Sequence, residues 1–81
     1  MGNPKYYLYG TEGCHLCEDA EQLVLQVMSN NEFKHVDIID DPHLVELYST
    51  SIPVLAHVAA NIALYWPFDL QQLQEFIRGT N

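Results

Sequence analysis

The feature that most constrains this chain is a change of rhythm near its start. Lys5 to Tyr9 (KYYLY) is a short aromatic and apolar run stopped by Gly10, and it reads as a strand. Gly10-Thr11-Glu12-Gly13 reads as a loop. From Cys14 onward Cys17, Ala20, Leu23, Val24, Val27 and Met28 recur at helical spacing. They form one apolar stripe on a helix of about four turns, ended at Ser29-Asn30-Asn31. A strand feeding a helix through so short a loop commits the chain to a β-α-β crossover, which is right-handed with parallel strands.

The remaining punctuation completes the order. Phe33 to Ile38, in which Phe33, Val36 and Ile38 are mixed with Lys34, His35 and Asp37, reads as a second strand. Asp41-Pro42 starts a helix, with Asp as N-cap and Pro at the first helical position, where no N–H is needed. That helix runs to about Tyr48, before Ser49-Thr50-Ser51. Val54 to Val58 and Ile62 to Trp66 are apolar strands around Ala59-Ala60-Asn61, a hairpin turn. In the last helix Asp69 caps, Gln72 occupies the reciprocal capping-box position, and Phe68 and Leu73 form a hydrophobic staple. Leu70, Leu73, Phe76 and Ile77 make its buried face, and Arg78 and Gly79 suit its end.

The expected fold is therefore α/β, in the order β-α-β-α-β-β-α, as one domain over residues 1–81. The second strand is the most polar and belongs at an edge. The first and third are more apolar and belong in the centre. A four-stranded mixed sheet of order 2-1-3-4, with the last strand antiparallel and helices on both faces, meets these conditions.

Charge narrows the function. Three Lys and Arg against eleven Asp and Glu give a net charge of −8. Such a chain repels phosphate backbones, which argues against nucleic-acid partners, and it has no polybasic patch for a membrane surface. No apolar stretch is long enough to span a bilayer. The first residues lack the apolar core of a signal peptide, and Tyr6 stands where a myristoylation site wants Ser or Thr. The expectation is a cytoplasmic monomer.

Cys14 and Cys17 are the only cysteines. A disulfide scaffold spreads more cysteines along a chain, so a local Cys-x-x-Cys reads as a redox pair or half of a metal site. Zinc needs about four ligands, and no second Cys-x-x-Cys or spaced His pair supplies them; no metal site is assigned. The order of elements puts Cys14 where the first strand meets its helix, the edge at which α/β sheets carry chemistry. Unpaired N–H groups and the positive end of the helix dipole favour a thiolate there. Glu12, Glu18 and Asp19 oppose that effect and His15 assists only when protonated. The net expectation is a thiol acidity modestly stronger than usual. Cys17 lies one turn deeper, close enough to bond Cys14.

The run Tyr9-Gly10-Thr11-Glu12-Gly13-Cys14-His15-Leu16-Cys17 after a strand resembles the active-site segment of the thioredoxin superfamily. Length and element order resemble a minimal glutaredoxin. Ser51-Ile52-Pro53-Val54-Leu55 resembles the family's second landmark, in which the proline is cis and packs beside the cysteines. The resemblance covers nearly all of the chain and implies a thioredoxin-like, glutaredoxin-type fold. It implies thiol–disulfide exchange, with Cys14 as nucleophile and Cys17 as resolving thiol. It also implies a potential between the thioredoxin value of about −270 mV and glutaredoxin values of roughly −200 to −230 mV. Gly13, His15, Ile52, Pro53 and Asp69 are the implied substrate-binding residues, with the Ile52 backbone pairing to an extended substrate. The implied partner is a disulfide-bearing protein or a small thiol. No tightly bound cofactor is implied, and glutathione is the candidate co-substrate.

The departures from the glutaredoxin pattern bear on that co-substrate. Lys5, Lys34 and Arg78 are the only basic residues and none lies in the Gly10–Glu18 loop. Where glutaredoxins carry a Gly-Gly-x-Asp type segment, this chain has Trp66-Pro67-Phe68-Asp69. Asp69 can match the family aspartate, but the glycines that admit a ligand to the backbone are absent. An acidic loop repels a tripeptide with two carboxylates. These features look closer to a small bacterial glutaredoxin-like group, and they favour dithiol exchange over glutathione selectivity. Two other readings keep the fold: a non-enzymatic binding module that uses the Ile52–Pro53 edge, and a carrier whose iron–sulfur cluster bridges two chains.

Overall fold

The computed structural model describes residues 4–80. The signal-peptide and myristoylation readings concern the first residues, of which 1–3 lie outside that range. The order is β1 (Tyr6–Gly10), α1 (His15–Leu25), β2 (Phe33–Asp37), a short 3-10 helix (Ile38–Asp40), α2 (Pro42–Tyr48), β3 (Val54–His57), β4 (Ile62–Tyr65) and α3 (Leu70–Gly79). The four strands form one sheet of order β2-β1-β3-β4, as the polarity of the strands requires.

The pairing fixes a strand direction that the sequence left open. β4 is antiparallel to its neighbour, as expected, but β3 is also antiparallel to β1, while β1 and β2 are parallel. β3 is therefore the strand that runs against the other three. The reason is length. α2 has seven residues, about 10 Å of rise, too short to carry the chain back along the sheet. β3 starts at the end where β2 finished.

Alternation along the strands sorts side chains between two faces. Tyr6, Leu8, Phe33 and Leu55 join Ala20, Val24 and Met28 from the α1 segment and Phe68 and Leu73 from the α3 segment in one core cluster. Leu8, Val24, Leu55 and Leu73 are fully buried, each contributing about 1.5–3 kcal/mol of apolar burial. On the other face Tyr9 stacks on Tyr48 of α2, ring centroids 4.9 Å apart. That face is thinly covered, since α2 contributes no fully buried residue.

Several boundaries move inward from the sequence reading. α1 has 11 residues and ends at Leu25, short of Met28. Gln26 and Val27 donate to carbonyls three residues back, which tightens the last turn yet keeps Met28 buried in the core. β2 stops at Asp37, whose carboxylate accepts the Ile39 N–H at 3.0 Å and caps the 3-10 helix. Ile38 is buried beneath it. The hairpin turn between β3 and β4 places Asn61 at φ 54°, a left-handed conformation that Asn tolerates. His57 is structural: its ring meets Tyr6 edge-on at 5.1 Å, and its Nδ1 accepts the Ala60 N–H at 3.0 Å.

Candidate active site

The parallel crossover delivers the chain from Gly10 directly to the start of α1. Gly13 takes φ 76° with open space beyond its Cα, so the left-handed backbone, not crowding, calls for glycine there. Cys14 follows as the N-cap of α1, with extended backbone (φ −86°, ψ 104°). Its Sγ accepts the Cys17 N–H at 3.1 Å. A sulfur thus fills the position that Ser, Thr, Asp or Asn usually holds. Cys14 and Cys17 are joined as a disulfide, with Cα atoms 5.2 Å apart.

The two sulfurs differ in access. Cys14 is half-buried, whereas Cys17 is 9% exposed. The cause is Gly10. A Cβ on Gly10 would stand 2.9 Å from Cys17 Sγ and 3.2 Å from its Cβ, so the bare backbone of β1 lets Cys17 settle against the sheet. Reading Gly10 as a strand terminator missed this role. The available signal was a glycine at the strand end directly before a cysteine pair.

His15 is 95% exposed, with Nδ1 3.7 Å from a Glu18 carboxylate oxygen. The second landmark lies at the same end of the sheet. Pro53 precedes Val54, which pairs with Tyr9, and the Ile52–Pro53 bond is cis. The Ile52 N–H donates to the Tyr48 carbonyl at 3.1 Å, so it is already occupied and strand addition through it is closed in this conformation. No hydrogen bond to the Ile52 carbonyl is found among the described residues. A second cis bond, Trp66–Pro67, lies outside the sequence expectations. The Trp66 N–H donates to the Pro53 carbonyl at 3.1 Å, tying the two proline segments together.

Asp69 is occupied as a cap. Its Oδ1 accepts the Gln72 N–H at 2.8 Å and its own N–H donates to Gln72 Oε1 at 2.9 Å. On the thinly covered face, burial and then the neighbouring phenols of Tyr48 and Tyr7 push Tyr9 above the ordinary tyrosine range. Burial and then Tyr65 do the same for Tyr48. Both phenols therefore stay neutral at physiological pH.

A cleft of about 330 Å³ opens beside the disulfide, between the start of α1 and the end of β2. Its wall includes Cys14, Cys17, Glu12, Glu18, Glu21 and Asp37. Glu21 bonds His35 Nε2 at the rim. Among the described residues no group of three or more His, Cys, Asp or Glu is arranged to hold a metal ion, and no helix is long and apolar enough to cross a membrane. A half-buried cysteine at a helix start, bonded to a buried one a turn deeper, fits a thiol redox role.

Comparison with known proteins points the same way. The family profile described as "Glutaredoxin-like domain (DUF836)" matches residues 5–78. No curated protein matches the chain. The X-ray structure of the target protein XcR50 from X. campestris is similar, with a TM-score of 0.82 and 32% identity over 91% of this chain and 96% of that one. Its solution structure gives 0.81 and 32% over 93% and 94%. The solution structure of Ne2328 from Nitrosomonas europaea gives 0.69 and 34% over 94% and 93%.

Proposed function

The chain belongs to the glutaredoxin-like domain family, and from that premise we propose that it is a dithiol–disulfide oxidoreductase in which Cys14 attacks and Cys17 resolves. In the reduced protein the Cys14 thiolate attacks one sulfur of a substrate disulfide. A Cys14–substrate disulfide forms and the other substrate sulfur leaves as a thiolate. The Cys17 thiolate then attacks Cys14 Sγ, re-forming the Cys14–Cys17 bond and expelling the second substrate thiolate. Two electrons pass to the substrate, and an external dithiol must return them.

The observation that carries this reading is the unequal burial of the two cysteines, with the more accessible one at the mouth of α1. The Cys17 N–H and the dipole of α1 support negative charge on Cys14. Gly13 and His15 flank the approach, and the Ile52 carbonyl beside Pro53 offers an acceptor to an incoming backbone N–H. Asp69 caps α3 through Oδ1, which leaves its second carboxylate oxygen able to accept from a substrate.

The test is turnover of an uncharged peptide disulfide with dithiothreitol as electron source. The wild-type chain accelerates reduction above dithiothreitol alone. Cys14→Ser falls to that background, and Cys17→Ser keeps only the slower route in which dithiothreitol resolves the mixed disulfide. A wild-type rate equal to background would favour the binding module.

A further inference from the structure

The three cationic side chains are segregated from the disulfide. Lys5 immediately precedes β1 and Lys34 pairs with Tyr7, so both lie toward the end of the sheet where β1 begins. Arg78 sits in the last turn of α3, whose following residue Thr80 bonds the Tyr6 hydroxyl, again at that end. The cysteines follow the opposite end of β1. There the cleft wall carries Glu12, Glu18, Glu21 and Asp37 and no Lys or Arg. The overall charge of −8 and this internal polarity act in one direction at Cys14.

The cleft wall also carries His35, which bonds Glu21. Asp37 accepts one backbone N–H, and Glu18 and Glu21 face histidines. Glu12 has no hydrogen bond or ion pair among the described residues. Leu8 and Val36 back the same cleft. An apolar floor under an acidic rim suits a side chain with an aliphatic stem and a cationic tip. Asp37 pairs with Gly10 one strand away from the segment leading to Cys14, a lateral step of about 5 Å. A long side chain close in sequence to a reacting half-cystine spans such a distance.

We propose that the substrate is a protein disulfide flanked within a residue or two by lysine or arginine, recognised by this cleft. The inference rests on the redox reading above and names the substrate class of that same site. The disulfide is where the chemistry occurs, and the carboxylates select what reaches it. They speed the encounter of a cationic segment and hold it while Cys14 attacks. An anionic disulfide, glutathione's included, meets the opposite field.

The experiment uses the reduced full chain and three synthetic peptide disulfides of one sequence, with Lys, Ser or Glu beside the half-cystine. Second-order exchange rates are measured at low and high salt, each normalised to attack by dithiothreitol. The Lys peptide should exceed the Glu peptide by about tenfold or more at low salt, with most of the ratio lost at high salt, within the range of steering effects. Neutralising the cleft with Glu12→Gln and Glu18→Gln should narrow the ratio several-fold. Neutralising Glu32 and Glu75, away from the cleft, as Glu32→Gln and Glu75→Gln, should change it little. A ratio near one, a ratio indifferent to salt, or equal narrowing by the remote pair overturns the proposal while leaving the redox reading intact. Failure of all three peptides to exchange sinks both.

Discussion

α1 and α3 lie in the same layer, yet their first turns are finished with different chemistry. α3 starts on a complete capping box, with Asp69 and Gln72 satisfying each other's N–H groups at 2.8 and 2.9 Å. α1 starts on a cysteine whose sulfur takes the Cys17 N–H at 3.1 Å. An oxygen cap is worth about 1 kcal/mol to a helix, and sulfur is a weaker acceptor. The difference teaches where this small fold spends its helix termini. At α3 the terminus is closed for stability; at α1 it is left to a group that can carry charge and react.

That contrast makes opposite predictions for the two caps. Cys14→Ser puts a better capping atom at α1. Measured by denaturant unfolding against the reduced wild type, stability should hold or rise by up to about 1 kcal/mol, while exchange activity disappears. Loss of stability with retained activity would break the comparison. The next effect is at the wall behind α1. Gly10→Ala must push Cys17 Sγ away from β1, and overpacking of this kind costs about 1–3 kcal/mol. The same unfolding experiment reads it, and an unchanged midpoint would mean that the sulfur has room the contact distance denies. The smallest effect belongs to α3. Asp69→Ala should cost about 1 kcal/mol and Asp69→Asn, which keeps an acceptor oxygen, a few tenths. If Asp69→Asn instead slowed exchange with a glutathione mixed disulfide at unchanged stability, Asp69 would meet substrate and both termini would serve chemistry.

How much of this was legible in the residues depends on the kind of signal. The α3 terminus was readable because Asp69, Gln72, Phe68 and Leu73 each carry a local, spacing-based instruction. The edge position of β2 followed from its polarity, and the parallel β1–β2 crossover from chain handedness. The direction of β3 was not readable in the same way, because it depends on the length of α2 relative to the sheet. The early end of α1 was hidden because Val27 and Met28 keep the helical apolar rhythm while packing from a turn.

At the site, the positions of Cys14 and Cys17 came from the strand–loop–helix order. The role of Gly10 is a contact across elements, which spacing does not record. The same holds for the meeting of Glu21 and Asp37 at the cleft wall. Asp37 lies on another strand, and Glu21, four residues past Cys17 on α1, meets it only because β2 lies beside β1. Only the fold brings their carboxylates to one wall.

The unequal roles of the two sulfurs are tested most directly by trapping. Reduced Cys17→Ser and Cys14→Ser chains are each mixed with the same limiting peptide disulfide, and the adducts are followed in time by mass spectrometry. Fast accumulation of a peptide adduct on Cys14 in the first chain, with little or none on Cys17 in the second, is the expected result. Equal labelling of the two cysteines, or faster labelling of Cys17, would contradict the assignment of attack to the helix mouth.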